Sequence, residues 1–271
     1  MKKESLSARI RAIFTDIDGT LLDSNESVSA RNLEAISRAI AEGYHMVFAS
    51  GRSTLSIRNL FREIRDEDFN AIAFNGSEIT IAGNTIFRRS LEAEMASRIA
   101  AKAIEKEIHI HAYAGEDLVF SDLTPTAVQY AIHTGLKPLI VGDLVSFLET
   151  HPPTKLLIVS QPDKLADIRD TFSAEYPDIN FTRSGEKYLD VTCPDVDKGR
   201  ALLFICDLLK VSPQETIAFG DNDNDVEMLK MSGIAVAMAN GSKELKAIAS
   251  MIAPSNDEDG FSKVIEELLF D

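Results

Sequence analysis

Short apolar runs alternate with segments of helical periodicity in the first and last parts of the chain. The apolar runs cover residues 12–14, 44–49, 71–74 and 216–219. Continuous apolar character over a few residues is typical of strands buried on both faces, as in a parallel sheet. Behind Ser29, Leu33, Ile36 and Ile40 recur at helical spacing, which predicts a helix with Ser29 as its N-cap. The pattern predicts an α/β fold with a doubly wound, Rossmann-like parallel core.

The pattern changes in the middle of the chain. Residues 77–82 and 85–89 alternate around Gly83 and Asn84, which predicts an antiparallel hairpin. Beyond it, helices and short strands follow one another up to about residue 187, and such a mixture predicts a second, α+β domain. We therefore expect residues 1–82 and 188–271 to form the parallel core, and residues 83–187 to form an inserted domain.

Composition narrows the classes of function. The formal net charge of −15 argues against non-specific nucleic-acid binding, which requires a surplus of Lys and Arg, and an anionic substrate would need local cations. No apolar run is long enough to span a bilayer, so no membrane partner is expected. Arg9 and Arg11 interrupt the apolar stretch behind the basic start, so we expect no signal peptide. Cys193 and Cys206 lie in apolar segments, which favours buried thiols in a reducing cytoplasm.

Two carboxylates follow the first predicted strand. Residues two apart in an extended chain project to the same side, so we expect Asp16 and Asp18 to converge on one point. Two such acids repel unless a cation lies between them, and a small number of oxygen ligands favours Mg²⁺. The alternative is an ordinary turn, for which Asp-x-Asp-Gly is a common composition.

Polar residues also follow the second strand and precede a later helix. Ser50 and Gly51 lie between a strand and a helix, where a hydroxyl and free N–H groups can bind an anion; simple N-capping by Ser50 or Ser53 is the alternative. Lys198 begins a helix whose N-terminus already carries partial positive charge. That position makes sense if an anion is shared there, and an exposed loop lysine is the alternative.

The segment 220–225 concentrates three carboxylates and two amides directly after a buried strand. Like charges so close together destabilise one another, so structure alone rarely requires them. A Ca²⁺ loop is the alternative, but it would lie between two helices, and this segment lies between a strand and a helix.

Four segments of the chain resemble the signatures of the haloacid dehalogenase-like hydrolases, a superfamily dominated by aspartate-dependent phosphatases. They are Asp16-Ile17-Asp18-Gly19-Thr20-Leu21, Ala49-Ser50-Gly51-Arg52, Asp197-Lys198-Gly199-Arg200-Ala201-Leu202 and Gly220-Asp221-Asn222-Asp223-Asn224-Asp225. The last segment is the most specific of the four. The position and size of the insert resemble the large cap of the Cof-type phosphatases, which have a subclass IIB cap after the third core strand.

The resemblance implies a Mg²⁺-dependent phosphatase that acts through an aspartyl-phosphate. It implies Asp16 as nucleophile and Asp18 as general acid and base. The expected phosphate ligands are Ser50, Gly51, Lys198 and Asn224. The expected metal ligands are Asp16, the Asp18 backbone carbonyl and Asp221, with Asp225 in support through water. Asp223 receives no role and is expected to face solvent.

The inserted cap should select the substrate. His109, His111 and Tyr113 alternate along one predicted strand and face either the cleft or solvent. Further candidates are Arg52, Lys187 and Tyr188. We expect a small phosphate ester as substrate, such as a sugar, polyol or cofactor phosphate, and a monomer or weak homodimer. A phosphomutase of related fold is one alternative; a non-catalytic phosphate sensor is another, disfavoured because the catalytic set is complete.

Overall fold

The computed structural model describes residues 10–270, and within them the chain forms two β-sheets. Residues 1–9, on which the prediction of no signal peptide mainly rests, lie outside the described residues. The strands are β1 Ala12–Asp16, β2 His45–Ala49, β3 Asn70–Ala73, β4 Glu78–Ile81, β5 Asn84–Arg88, β6 His109–Ala114, β7 Asp117–Phe120, β8 Pro138–Ile140, β9 Lys155–Val159, β10 Asn180–Arg183, β11 Tyr188–Thr192, β12 Thr216–Gly220, β13 Ile234–Met238 and β14 Met251–Ala253. The helices are α1 Ala30–Ala41, α2 Thr54–Leu60, α3 Ala93–Glu105, α4 Pro125–Thr134, α5 Leu144–Leu148, α6 Leu165–Glu175, α7 Lys198–Leu209, α8 Val226–Met231, α9 Lys243–Ile248 and α10 Gly260–Leu269.

The first sheet has eight strands in the order β14-β13-β12-β1-β2-β3-β4-β5. The six strands from β14 to β3 run parallel, and the hairpin β4–β5 is antiparallel. Strand β1 is buried along its whole length. Its Ile13 belongs to a core cluster with Ile36 of α1, while Phe14 belongs to one with Leu202 of α7, so helices cover both faces. The predicted doubly wound α/β core is confirmed.

The second sheet has six strands in the order β10-β11-β9-β6-β7-β8. All its pairs are antiparallel except β7–β8. One face packs against α3 and α6, with Ile99 and Phe172 in the shared cluster. The other face contributes Tyr113 and Leu157 to the same cluster as Phe74 of the first unit, so this sheet packs directly over the parallel core.

The division between the two sheets falls a few residues later than the sequence-based one at both ends. We placed the start of the insert at residue 83, inside the turn between β4 and β5, but the structure pairs β5 with β4 in the first sheet. At the other end, Tyr188–Thr192 forms β11, which pairs with β9 and β10 in the second sheet. The predicted hairpin is present, but its turn belongs to the core sheet and does not start the insert.

Serine side chains cap the first two helices, α1 and α2. The Ser29 side chain accepts a hydrogen bond from the Asn32 N–H at the start of α1, as predicted. At α2 the cap is Ser53, which accepts from Ser56 N–H, so Ser50 is not needed for helix capping. Among the described residues, none of the helices is long and apolar enough to cross a membrane.

Candidate active site

The carboxyl ends of β1 and β12 bring three acids together. Asp16 is the last residue of β1, and Asp221 follows the end of β12, its parallel neighbour in the sheet. Asp225 follows one short turn later. One carboxylate oxygen from each of the three lies within 4.8 Å of the others. Residues from opposite ends of the chain therefore form one acidic cluster. It lies at the carboxyl ends of parallel strands, where open α/β sheets bind their ligands.

Lys198 lies inside this cluster. It is the first residue of α7, its side chain is fully buried, and its Nζ lies 2.6 Å from Asp16 Oδ1 and 2.7 Å from Asp225 Oδ1. Burial alone would lower the pKa of Lys198, but the charges of Asp16 and Asp225 outweigh burial and raise this pKa above its usual value. The alternative of an exposed loop lysine is therefore excluded.

The pKa values of Asp16 and Asp221 are raised, whereas an ordinary ion pair lowers the pKa of its acid. Burial, followed by the charge of Asp225, raises the pKa of Asp16, and the same two causes raise the pKa of Asp221 to about 7. Asp16 Oδ2 is buried and has no hydrogen-bond partner among the described residues. A divalent cation would supply both the missing partner and the missing charge, and oxygen-only ligands suit a hard ion such as Mg²⁺.

The Asp18 carboxylate lines the same cleft as Asp16, but it is not one of the three acids that lie within 4.8 Å of one another. Strand β1 ends at Asp16, and the chain turns through Gly19, which has a φ of +83°. The Asp18 carboxylate instead accepts hydrogen bonds from Arg52, at 2.6 Å from Nη2 to Oδ1 and 2.9 Å from Nε to Oδ2, and from Ser50 Oγ at 3.4 Å. Partial burial works to raise the pKa of Asp18, but the Arg52 hydrogen bonds and charge outweigh it and hold this pKa below its usual value.

The predicted phosphate ligands lie around the same cleft. Ser50, Gly51, Asn224 and the Asp16 carboxylate line it, and the Ser50 hydroxyl also accepts a hydrogen bond from the Arg52 N–H at 3.1 Å. Lys198 contacts Asp16 from beneath the cleft surface. Asp223 is exposed, as expected.

Most of the cap residues predicted to face the cleft do not line it. His111 and Tyr113 are fully buried in the second sheet, with the His111 ring 4.4 Å from that of Tyr130 between centroids. Tyr130 of α4 and Phe74 of the core pack against this face of β6, so His111 and Tyr113 are covered and do not line the cleft. His109 lies beside His111, at 3.3 Å between ring nitrogens, and Lys187 is exposed on another part of the surface.

The cap side of the cleft consists largely of residues that the sequence did not point to. Tyr130 and His133 of α4 and Lys155 and Asp190 of the second sheet line it, together with the predicted Tyr188. Tyr130 and His133 are three residues apart on a helix, so periodicity would have placed them on one face but not against the cleft.

His133 also contacts the core, because its Nδ1 lies 3.1 Å from each Glu26 carboxylate oxygen. The cleft between the two units holds about 130 Å³ of space, which is below the range of about 300–1,000 Å³ typical of ligand pockets and limits the size of a ligand.

Acids, a buried lysine and a serine hydroxyl lie together at the strand ends of an open α/β sheet, which is where such sheets bind their ligands. The haloacid dehalogenase-like hydrolase family model matches residues 13–265, so the chain belongs to this family. The family resemblance and the enzyme class predicted from the sequence are thereby confirmed.

Individual relatives are similar over nearly their whole length. A putative phosphatase of Haemophilus influenzae is 30% identical over 266 residues, covering 95% of this chain and 97% of the relative. The 5-amino-6-(5-phospho-D-ribitylamino)uracil phosphatase YwtE of Bacillus subtilis is 29% identical over 286 residues, covering 96% and 98%. The solved structure of the subclass IIB sugar phosphatase BT4131 has a TM-score of 0.82 at 21% identity, covering 96% of this chain and 100% of that chain. That last likeness shows the fold.

Proposed function

We propose that the protein is a Mg²⁺-dependent phosphatase that hydrolyses small-molecule phosphate monoesters through an aspartyl-phosphate on Asp16. One observation carries the proposal: the Asp16 carboxylate lies at a strand end, with one oxygen held by Lys198 and the other buried without a partner in the part of the chain that the structure describes. Such a carboxylate is fixed in orientation but not neutralised by protein groups alone. It can therefore act as a nucleophile once a cation offsets its repulsion from the phosphate.

In this proposal, each step of the reaction is assigned to a side chain. Asp16 attacks phosphorus, and the alkoxide of the ester leaves with a proton from Asp18. Asp18 then accepts a proton from the water that hydrolyses the aspartyl-phosphate, and Asp16 is released unchanged. Arg52 and Ser50 hold the Asp18 carboxylate in place, and the lowered pKa that Arg52 causes favours the ionised form of Asp18, which is the form that the base step needs.

The phosphate oxygens would be bound by the Ser50 hydroxyl, the Gly51 N–H, the Asn224 carboxamide and Lys198. Asp16, Asp221 and the Asp18 backbone carbonyl would hold the ion, with Asp225 in support. When bound, Mg²⁺ offsets the repulsion between the nucleophile and phosphate and stabilises charge on the transferring group.

The cap and the size of the cleft favour a small leaving group. The relative from Bacillus subtilis is named for a ribitylaminouracil phosphate, and the structural neighbour for sugar phosphates. These names, together with a small cleft that Tyr130, His133 and Tyr188 line on the cap side, support sugar, polyol or small cofactor phosphates as the substrate class.

The test is phosphate release from a panel of metabolite monoesters, with Mg²⁺ and with EDTA. We expect release that requires Mg²⁺ and that Asp16→Asn lowers by more than about a thousandfold, with an unchanged circular dichroism spectrum. Normal turnover by that variant would rule out the nucleophile. Exchange of phosphate between positions of a sugar, without release, would favour a mutase instead.

The assignment of the two sheets to separate domains, the cytoplasmic location and the monomeric or weakly dimeric state stay predictions. Both cysteines are buried and free, which agrees with the expected thiols.

A further inference from the structure

A buried ion pair on the cap lies next to Gly51, one of the predicted phosphate ligands in the cleft. Lys155 of β9 and Asp190 of β11 project from one face of the second sheet, because Leu157, two residues after Lys155, lies opposite Asp190 in the strand register. Lys155 Nζ lies 3.0 Å from Asp190 Oδ1, and the side chains are 2% and 0% exposed. A buried pair of this kind is costly unless its remaining polar atoms are satisfied, so its other contacts are informative.

Those other contacts all reach into the core. Lys155 Nζ donates to the Gly51 carbonyl oxygen at 2.5 Å. Asp190 Oδ2 accepts a hydrogen bond from Asn75 Nδ2 at 2.6 Å, and Asn75 Oδ1 accepts one from Asn224 Nδ2 at 3.0 Å. We call Lys155, Asp190, Asn75 and Asn224 the polar chain. It runs without a break from the cap to a predicted phosphate ligand.

The polar chain has a direction that Asp190 sets. An ionised carboxylate only accepts hydrogen bonds, so Asn75 must turn its NH₂ group toward Asp190 and its oxygen toward Asn224. Asn224 must then present its own NH₂ group to Asn75. One N–H of that group is used there, and the second remains for a ligand oxygen in the cleft, which Asn224 lines.

We propose that Asp190, with Lys155 as its counter-ion, is a positioning residue that orients the Asn224 carboxamide to donate to phosphate. The inference rests on the proposed function, since it gives Asn224 a phosphate to bind. Neither Asp190 nor Lys155 takes part in the chemical steps.

The decisive variant is Asp190→Asn. Beside the Lys155 ammonium, the new carboxamide keeps its oxygen toward Lys155 and turns its NH₂ group toward Asn75. Asn75 then reverses, and Asn224 must place its oxygen where its NH₂ group stood, against the phosphate. We expect the Kd for inorganic phosphate, measured by calorimetry with Mg²⁺, to rise about tenfold to a hundredfold, as for a lost hydrogen bond to a charged group.

Two further variants separate orientation from simple damage. In an Asn224→Ala background, Asp190→Asn should have no further effect on phosphate affinity, because the group that it misorients is gone. The exchange Asn75→Asp with Asp190→Asn should recover most of the affinity, because the carboxylate introduced at position 75 would again accept from the Asn224 NH₂ group. The exposed Asp163→Asn is the matched control and should bind phosphate as the wild type does.

The outcomes distinguish the positioning role of Asp190 from the proposed phosphatase function. An Asp190→Asn effect of the same size with and without Asn224, or no recovery in the exchange variant, would overturn the positioning role while phosphate release by the wild type stands. A wild type that binds inorganic phosphate but hydrolyses no ester would end the proposed function alone. Loss of affinity through Asn224, restored by the exchange, supports the positioning role in either case.

Discussion

Replacing Lys198 by Met tests whether the acidic cluster depends on its lysine before any metal arrives. The change keeps the length of the buried side chain and removes the ammonium that contacts Asp16 Oδ1 at 2.6 Å and Asp225 Oδ1 at 2.7 Å. Two buried carboxylates would then face each other without a cation. Breaking a buried pair by removing one partner costs about 3–5 kcal/mol, and we expect a loss of that size in the free energy of unfolding in EDTA.

The assay is urea unfolding followed by circular dichroism, in EDTA and in saturating Mg²⁺. Because the ion would replace part of the missing positive charge, the loss should be smaller with Mg²⁺ than in EDTA. Lys230→Met is the matched control, since Lys230 pairs with Glu227 at 2.7 Å but is 47% exposed. Exposed pairs contribute about 0–1 kcal/mol, so the control should change little.

A second substitution identifies the source of the loss. Asp225→Asn removes one of the two uncompensated charges, so the double variant with Lys198→Met should be more stable in EDTA than Lys198→Met alone. The reasoning would be refuted if Lys198→Met cost no more than Lys230→Met, or if adding Asp225→Asn made unfolding easier still.

Three further predictions concern the ion, Asp18 and the turn beneath them. The pKa of Asp221 is raised to about 7, so ionisation of its carboxyl destabilises the metal-free fold as pH rises from about 4 through 7. Mg²⁺ must also displace a proton from this carboxyl, so the affinity of the protein for Mg²⁺, measured by calorimetry, should fall as pH is lowered from about 8 to about 6. Arg52→Gln removes the group that lowers the pKa of Asp18, so the limb of the pH–rate profile that Asp18 controls should move to higher pH; an unmoved profile would contradict that role. Gly19→Ala would place a Cβ 2.8 Å from Asp221 Cγ at a φ of +83°, so it should weaken Mg²⁺ binding and destabilise the fold by about 1 kcal/mol, which calorimetry and urea unfolding would test.

The parallel core could be predicted because its signals are local. A run such as 12–14 is apolar on both faces, and the polar residues that follow the strands must meet at one edge of the sheet. The convergence of Asp16 and Asp221 follows from that rule alone, although the residues come from opposite ends of the chain. Lys198 begins a helix, so its place was indicated by the charge at the helix start and by the family resemblance instead. The placement of Asp18 could not be predicted in the same way, because the extended geometry assumed for it stops at Asp16, where the strand ends.

The cap could not be predicted to the same depth, because its contacts depend on how one sheet packs over another. The alternation of His109, His111 and Tyr113 is real, but nothing local shows that α4 covers that face. Lys155 and Asp190 lie in apolar strands, where single charged residues give no sign of their partners. Their pairing needs the register of two antiparallel strands, and their contact with Asn75 needs the docked core.

The charges of the site explain why oriented neutral donors matter so much. The site combines four carboxylates with two cationic side chains, namely Asp16, Asp18, Asp221 and Asp225 with Arg52 and Lys198. The surplus of two negative charges equals the charge of one divalent ion, and the raised pKa values of two of the acids reflect the same deficit of cations. With the ion bound, the site is close to neutral, and a phosphate monoester still adds a charge of about −2 at pH 7. Lys198 already shares its charge with Asp16 and Asp225, so much of the phosphate charge falls to the neutral donors Ser50, Gly51 and Asn224. Their dipoles attract phosphate only when their N–H and O–H groups face it, so a cap residue that fixes one amide acts directly on affinity.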